Sequence, residues 1–168
     1  MSGKPKDLSE FFNKKASEYN QPDFIKADPI CIPHLFSKKQ DIEIAGLFAA
    51  IFAWGNRTTI IKKSKELLVL MDNAPHDFVL HHTEEDLRRL EGFKHRTFNT
   101  TDLLYFISFL QHHYSKHPSL ETAFTQWMLT GDETIEQALI GFYHYFFLSN
   151  IYPTVPASIL LHPKKFFL

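Results

Sequence analysis

The sequence predicts an all-α fold, an irregular bundle of about seven or eight helices. Apolar residues recur at spacings of three and four along most of the chain, and cap residues and breakers stand between those windows. No run alternates apolar with polar residues as a half-buried strand would, so no strand ladder is expected. With 168 residues the chain is long enough to bury one core. Hydrophobic residues make up 44% and phenylalanine alone contributes 17, which excludes disorder and predicts a core rich in large rings.

Leu8, Phe11, Phe12 and Lys15 give a short amphipathic first helix between Asp7 and Tyr19, ended by Asn20 and Pro22. Proline disfavours helical backbone in the residue before it. Asp28-Pro29 and Ile32-Pro33 therefore predict an extended crossing segment over residues 23–40. Asp41 is the expected N-cap of a buried helix over 42–54, with Trp54 in the core and Gly55 as its C-cap. Asn56 then caps a second helix over 57–71. Ile60, Ile61, Leu67, Leu68 and Met71 point inward while Lys62, Lys63, Lys65 and Glu66 point out, and the two helices form a tight hairpin.

Asp72-Asn73-Ala74-Pro75 predicts a turn, with Pro75 opening a short helix that carries Phe78, Val79 and Leu80. Thr83 followed by Glu84, Glu85 and Asp86 predicts an N-cap with acids in the first turn, leading into Leu87 and Leu90. Residues 92–99 show no period and read as a loop, whereas 101–114 place Leu103, Leu104, Phe106, Ile107 and Leu110 on one helical face. Ser119 is the expected cap of a helix through Leu129, and Gly131-Asp132 turns the chain. The last helix covers 134–148, with Ile135, Ala138, Leu139, Phe142 and Phe146 at helical spacing. Residues 1–148 thus read as one helical domain. Residues 149–168 contain Pro153, Pro156 and Pro163, end on Phe166-Phe167-Leu168, and read as an irregular tail.

A net charge of −1 argues against a protein that coats nucleic acid or anionic membrane through bulk electrostatics, so any such contact is local. Cys31 is the single cysteine and cannot form an internal disulfide, and no leader pattern opens the chain. A reducing, cytoplasmic setting is expected. The apolar run 44–54 is far short of the ~18 residues that suggest a membrane helix. Residues 135–152 are interrupted by Glu136, Gln137, His144 and Asn150, so no membrane anchor is expected.

Ten histidines raise the question of a metal, but none stands in a His-Glu-x-x-His pattern or beside a spaced cysteine pair. No metal site and no cofactor are expected. Cys31 lies between Ile30 and Ile32 and reads as packing rather than as an activated thiol. The glycines are scattered singly, which leaves no phosphate loop and no serine elbow, and no catalytic residue emerges.

Trp54-Gly55-Asn56-Arg57-Thr58-Thr59 is the most suggestive segment. A cation at a helix N-terminus works against the macrodipole unless an anion or an acid joins it. Arg57 thus points either to a phosphate or carboxylate partner, or to an acid of this same chain with Trp54 filling the core. Lys94-His95-Arg96, flanked by Phe93 and Phe98, is a second basic spot; the rings either anchor the loop or stack a base. The candidates for anion or nucleic-acid binding are Asn56, Arg57, Thr58, Lys62, Lys94, His95 and Arg96.

Several of these stretches form a recognisable series: Asp28-Pro29-Ile30, Ile32-Pro33-His34, Asp41-Ile42-Glu43-Ile44-Ala45-Gly46, and Phe52-Ala53-Trp54-Gly55-Asn56-Arg57. Met71-Asp72-Asn73-Ala74-Pro75, His95-Arg96-Thr97-Phe98-Asn99 and Asp102-Leu103-Leu104-Tyr105-Phe106-Ile107 continue it. Together they resemble an uncharacterised bacterial family, domain of unknown function 2400, from about Leu8 to about Phe147. The resemblance implies no established activity. It implies a distant likeness to helix-hairpin-helix DNA glycosylases, whose first paired helices this chain's hairpin would match, with Trp54 to Thr59 at the turn that faces DNA. Longer members continue past this length, so a frameshift or premature stop near Asn150 is expected. In that case catalysis is absent from this form, and an apolar face around Phe142, Phe146 and Phe147 is open to self-association. Two functions follow: a fragment of a glycosylase-like nucleic-acid protein, or a non-enzymatic helical interaction or structural module. The first requires Arg57, Lys62, Lys94, His95 and Arg96 to line one face.

Overall fold

The computed structural model describes residues 7–148, so the irregular tail and the break expected near Asn150 lie outside the described residues. The fold is all-α, an irregular bundle with nine α-helices among the described residues. Helix α1 (Leu8–Tyr19) opens where the Asp7 carboxylate accepts the Ser9 N–H, and it contributes no buried residue.

The next segment corrects one expectation. Residues 23–40 are not extended: they hold α2 (Pro22–Ala27) and two 3-10 turns, Pro29–Cys31 and Pro33–Leu35, before the next helix begins. Pro22, Pro29 and Pro33 each stand in the opening turn of one of these pieces. A missing N–H costs nothing there and a fixed φ is already helical. The residue before each proline is kept short of a longer helix, which divides the segment into short pieces.

Helix α3 runs Lys39–Ile51, so its N-cap is Lys38 and not Asp41. Asp41 is a buried acid in the first turn whose Oδ1 accepts the His76 N–H at 2.9 Å, joining α3 to α5 (Pro75–His81). Helix α4 (Arg57–Leu70) starts as expected, with Asn56 Oδ1 accepting the Thr58 N–H at 2.9 Å. The turn after it places Asp72 and Asn73 in left-handed backbone, which short polar side chains tolerate. The Arg89 guanidinium grips Asp72 with two bonds of 2.9 and 2.8 Å and fixes that turn against α6 (Glu84–Arg88). Thr83 and Asp86 form the capping box of α6.

Contrary to expectation, the 92–99 stretch contains a two-stranded antiparallel pair, β1 (Lys94–His95) with β2 (Phe98–Asn99). Phe93, His95 and Phe98 are all buried, so burial on both sides of the reversal holds a ladder too short to show a period. Asn99 then caps α7 (Thr100–Tyr114) in a second capping box, with Asp102. Helix α8 is a single turn, Thr122–Thr125, rather than a helix from Ser119 to Leu129. The Ser119 hydroxyl accepts the Glu121 N–H at 3.2 Å and donates to the Glu43 carboxylate of α3, and Trp127 folds back to donate to the Ala123 carbonyl.

Helix α9 (Glu136–Phe147) buries Ala138, Gly141 and Phe146 and leaves Ile135 and Leu139 exposed, one step away from the predicted inner face. Of the three phenylalanines expected on an open apolar face, Phe142 and Phe146 turn toward the core and Phe147 is 40% exposed. The core is a chain of rings. Phe52 packs on Phe98, Phe98 on Phe106, and Phe106 and Phe109 on Phe146, with centroids 4.7–5.7 Å apart.

Candidate nucleic-acid interface at the Trp54 corner

Helix α3 ends at Ile51, three residues before Trp54. Phe52 is the last fully buried residue of that segment; Trp54 lies beyond it and is 43% exposed. The corner thus corrects the expectation that Trp54 fills the core and that Gly55 is a simple C-cap. Gly55 has φ +133, a conformation that side-chain-bearing residues rarely adopt.

Arg96 meets this corner from the tip of the β1–β2 reversal. Its own backbone is left-handed, at φ +55. The guanidinium lies across Gly55 and stands over the Trp54 indole, with Cζ 5.6 Å from the ring centroid. Arg96 is exposed, and no acid among the described residues pairs with it. A non-glycine residue in this region of backbone stores strain, and such strain collects at functional positions.

His95 supports the corner from inside and is not a surface contact. It is 3% exposed, its ring packs on Phe52 with centroids 5.2 Å apart, and its Nε2–H donates to the Phe52 carbonyl at 3.1 Å. The bond reaches the carbonyl just past the end of α3, where main-chain acceptors lack helical partners.

Arg57 follows the same-chain alternative. Its Nε is 3.8 Å from Asp28 Oδ2, and its guanidinium stands over the Phe24 ring at 5.7 Å. Asp28 also caps the first 3-10 turn through the Ile30 N–H. At that distance and exposure the pair contributes little, roughly 0–1 kcal/mol. Asn56 is spent on capping α4. Thr58 and Lys62 are exposed on the outer side of α4, and Lys94 is exposed on β1. Lys63 lies over Phe93 at 5.2 Å and pairs with Glu66.

On the far side of Gly55 a groove of about 410 Å³ opens between the two 3-10 turns and α3. Pro29, Ile30 and Pro33 form one wall. Gly46, Ala50 and Ala53 form the other, and their small side chains leave the space open. Sequence reasoning missed both Trp54 as a surface residue and Phe24 and Asp28 as the partners of Arg57. The available signal was Gly55 directly after Trp54, since a residue beside such a turn belongs to the corner and not to the helix.

Among the described residues no group of three or more histidine, cysteine or acidic side chains is placed to hold a metal ion. No helix among them is long and apolar enough to cross a membrane.

The fold and the corner define a helical protein that presents an arginine-on-tryptophan corner beside a groove lined by small and apolar residues and by the Arg57–Asp28 pair. The chain belongs to the family described as Protein of unknown function (DUF2400), whose model matches residues 28–165. The match begins at the Asp28-Pro29-Ile30 motif, leaves α1 outside, and takes in every motif of the series above. No curated protein and no solved structure matches the chain.

Proposed function

We propose that this chain is a nucleic-acid-binding module whose contact point is the Arg96–Trp54 corner, and that it binds without catalysing a reaction. One observation carries the proposal: an exposed arginine, unpaired among the described residues, is held in left-handed backbone against a glycine and over an exposed indole. A guanidinium plane on an aromatic ring offers nucleic acid a charge for phosphate and a flat surface for bases. Lys94 on β1 and Lys62 on α4 are further exposed cations of the same reading. A distant relation to helix-hairpin-helix DNA glycosylases, expected from the sequence motifs, would place the α3–α4 corner toward nucleic acid, and supplies no acid or lysine to name as a catalyst.

The test is fluorescence anisotropy of the full chain with short labelled duplex and single-stranded DNA at rising salt. Affinity that falls steeply with salt, and weakens about tenfold in Arg96→Ala, is the expected outcome. Absence of binding to both probes at low salt overturns the proposal.

A second reading, a non-enzymatic interaction module that pairs with a second copy of itself, is favoured by the outer side of α9. Ile135, Leu139, Ile140 and Tyr143 are all exposed there. Sedimentation over a range of concentrations tests it, and a monomer at every concentration removes it.

A further inference from the structure

We infer that the Trp54 corner takes an unpaired nucleobase, so that the chain prefers single strands to duplex; the inference rests on the nucleic-acid reading above. The corner offers flat surfaces rather than a row of charges. Trp54 is 43% exposed, with Arg96 Cζ 5.6 Å from its ring centroid and the His95 ring meeting it edge-on at 6.4 Å, and its exposed part offers an aromatic surface on which a base can stack. In a duplex the base faces are covered by their neighbours, and a protein meets only groove edges and phosphates.

Some of the basic residues of this region are engaged within the chain, while Lys62, Lys94 and Arg96 are exposed. Arg57 faces Asp28, Lys63 pairs with Glu66, His95 is buried, and the whole chain carries a net charge of −1. A stacking site needs few charges, because each base brings its own π-face. The missing side chain at Gly55 leaves room for the Arg96 guanidinium beside the indole.

Gly55 is shared by the platform and the groove. A strand whose base stacks at Trp54 finds, in the groove that Gly55 also lines, Pro29, Ile30 and Ala53 for the next sugar or base, with the Arg57–Asp28 pair in the same lining. The two surfaces adjoin across one residue, a spacing that suits successive nucleotides of a flexible strand.

The experiment is a fluorescence titration of the full chain carrying Trp127→Phe, which leaves Trp54 as the sole indole. The probes are oligothymidine of about twelve nucleotides and the matching oligoadenine–oligothymidine duplex. The expected result is single-strand binding at least ~10-fold tighter than duplex binding, with quenching of Trp54 emission. Trp54→Ala should weaken single-strand binding about tenfold, and Trp54→Phe should restore most of it because the ring returns. If Trp127→Phe does not fold, the difference between wild-type and Trp54→Phe emission gives the same readout. Equal or tighter duplex binding, or single-strand binding that leaves Trp54 emission unchanged, overturns the unpaired-base inference and leaves the proposed function standing. Binding of neither probe overturns the proposed function itself.

Discussion

The Arg96 guanidinium occupies the space that a side chain at Gly55 would need: a Cβ built there would lie 2.5 Å from Nη2 and 2.8 Å from Nε. Two residues far apart in sequence therefore constrain each other, one by lacking a side chain and the other by filling the gap. Gly55→Ala adds backbone strain at φ +133 and displaces the guanidinium from the indole. Arg96 is a long side chain and can swing away, so the steric part of the cost is small and the backbone part dominates. A loss of about 1–3 kcal/mol is expected by urea unfolding. In an Arg96→Ala background the backbone cost remains and the steric part disappears. A Gly55→Ala variant as stable as the wild type, in either background, would contradict the strained backbone at this position.

Glu43 is the hinge pin between α3 and the α7–α8 junction. Its carboxylate accepts the Tyr114 hydroxyl at 2.9 Å, the Ser119 hydroxyl at 2.5 Å and the Leu120 N–H at 2.9 Å. Burial and this carboxylate hold the Tyr114 hydroxyl far above its ordinary pKa. Glu43→Ala leaves three partly buried donors without an acceptor, and a loss of about 2–4 kcal/mol is expected. Glu43→Gln keeps one acceptor oxygen and should cost about half as much. Urea unfolding of the two variants separates the hydrogen bonds from the lost volume.

His113 sets the response to acid. It is fully buried, with Nε2–H donated to the Ser119 carbonyl at 2.9 Å and Nδ1 accepting from the Tyr145 hydroxyl at 3.2 Å. Burial lowers its pKa below the ordinary value of 6.5, partly opposed by the Ser119 carbonyl. His76 and His112 are lowered too, first by burial and then by the charges of Lys38 and Lys116. Below about pH 6.5 the unfolded chain therefore binds more protons than the folded one, so stability is full above that value and is lost as pH falls. The melting temperature should be nearly flat from pH 7.5 to 7 and should drop between about pH 6.5 and 5. Asp72, Asp86 and Glu121 are held below ordinary carboxylate values by Arg89, Thr83 and Lys39 respectively, and their contribution is lost only at lower pH. A flat melting curve across pH 5–7 would mean that His113 is not held neutral.

The parts of this fold that were readable from sequence are those decided within one turn of chain. Asn56 and Thr83 start helices by accepting N–H groups two or three positions away, and Pro75 does so through its own fixed φ, so their roles follow from local chemistry alone. Asp41 and Ser119 look like caps by the same logic. Asp41 serves instead as a long-range partner of His76, and Ser119, whose hydroxyl accepts the Glu121 N–H locally, also donates to Glu43, which no local pattern reveals. Trp54 reads as core because the apolar run continues to it, yet α3 ends first and the indole emerges beside Gly55. Within the candidate site, the tract around Arg57 and Arg96 was legible as basic. Only the fold separates the arginine that Asp28 engages from the one no acid of the described residues meets.

Gly141 is the sharpest test of how α9 docks. A Cβ at this position would lie 2.1 Å from Trp127 Cγ and 2.5 Å from Trp127 Cβ. In an isolated helix Gly→Ala gains about 1 kcal/mol of propensity, so an exposed Gly141 would make the substitution stabilising. Here the clash reaches the Cβ of Trp127, and rotation of the ring alone cannot relieve it; the backbone after α8 has to shift. That shift breaks the Trp127 Nε1–H bond to the Ala123 carbonyl and opens the stacked contact of Phe124 on Phe142, whose centroids are 4.2 Å apart. Overpacking of this kind typically costs 1–3 kcal/mol, which outweighs the propensity gain. Gly141→Ala should therefore lower the urea midpoint and shift Trp127 emission to the red. A stabilised variant with unchanged emission would show that α9 does not rest on Trp127.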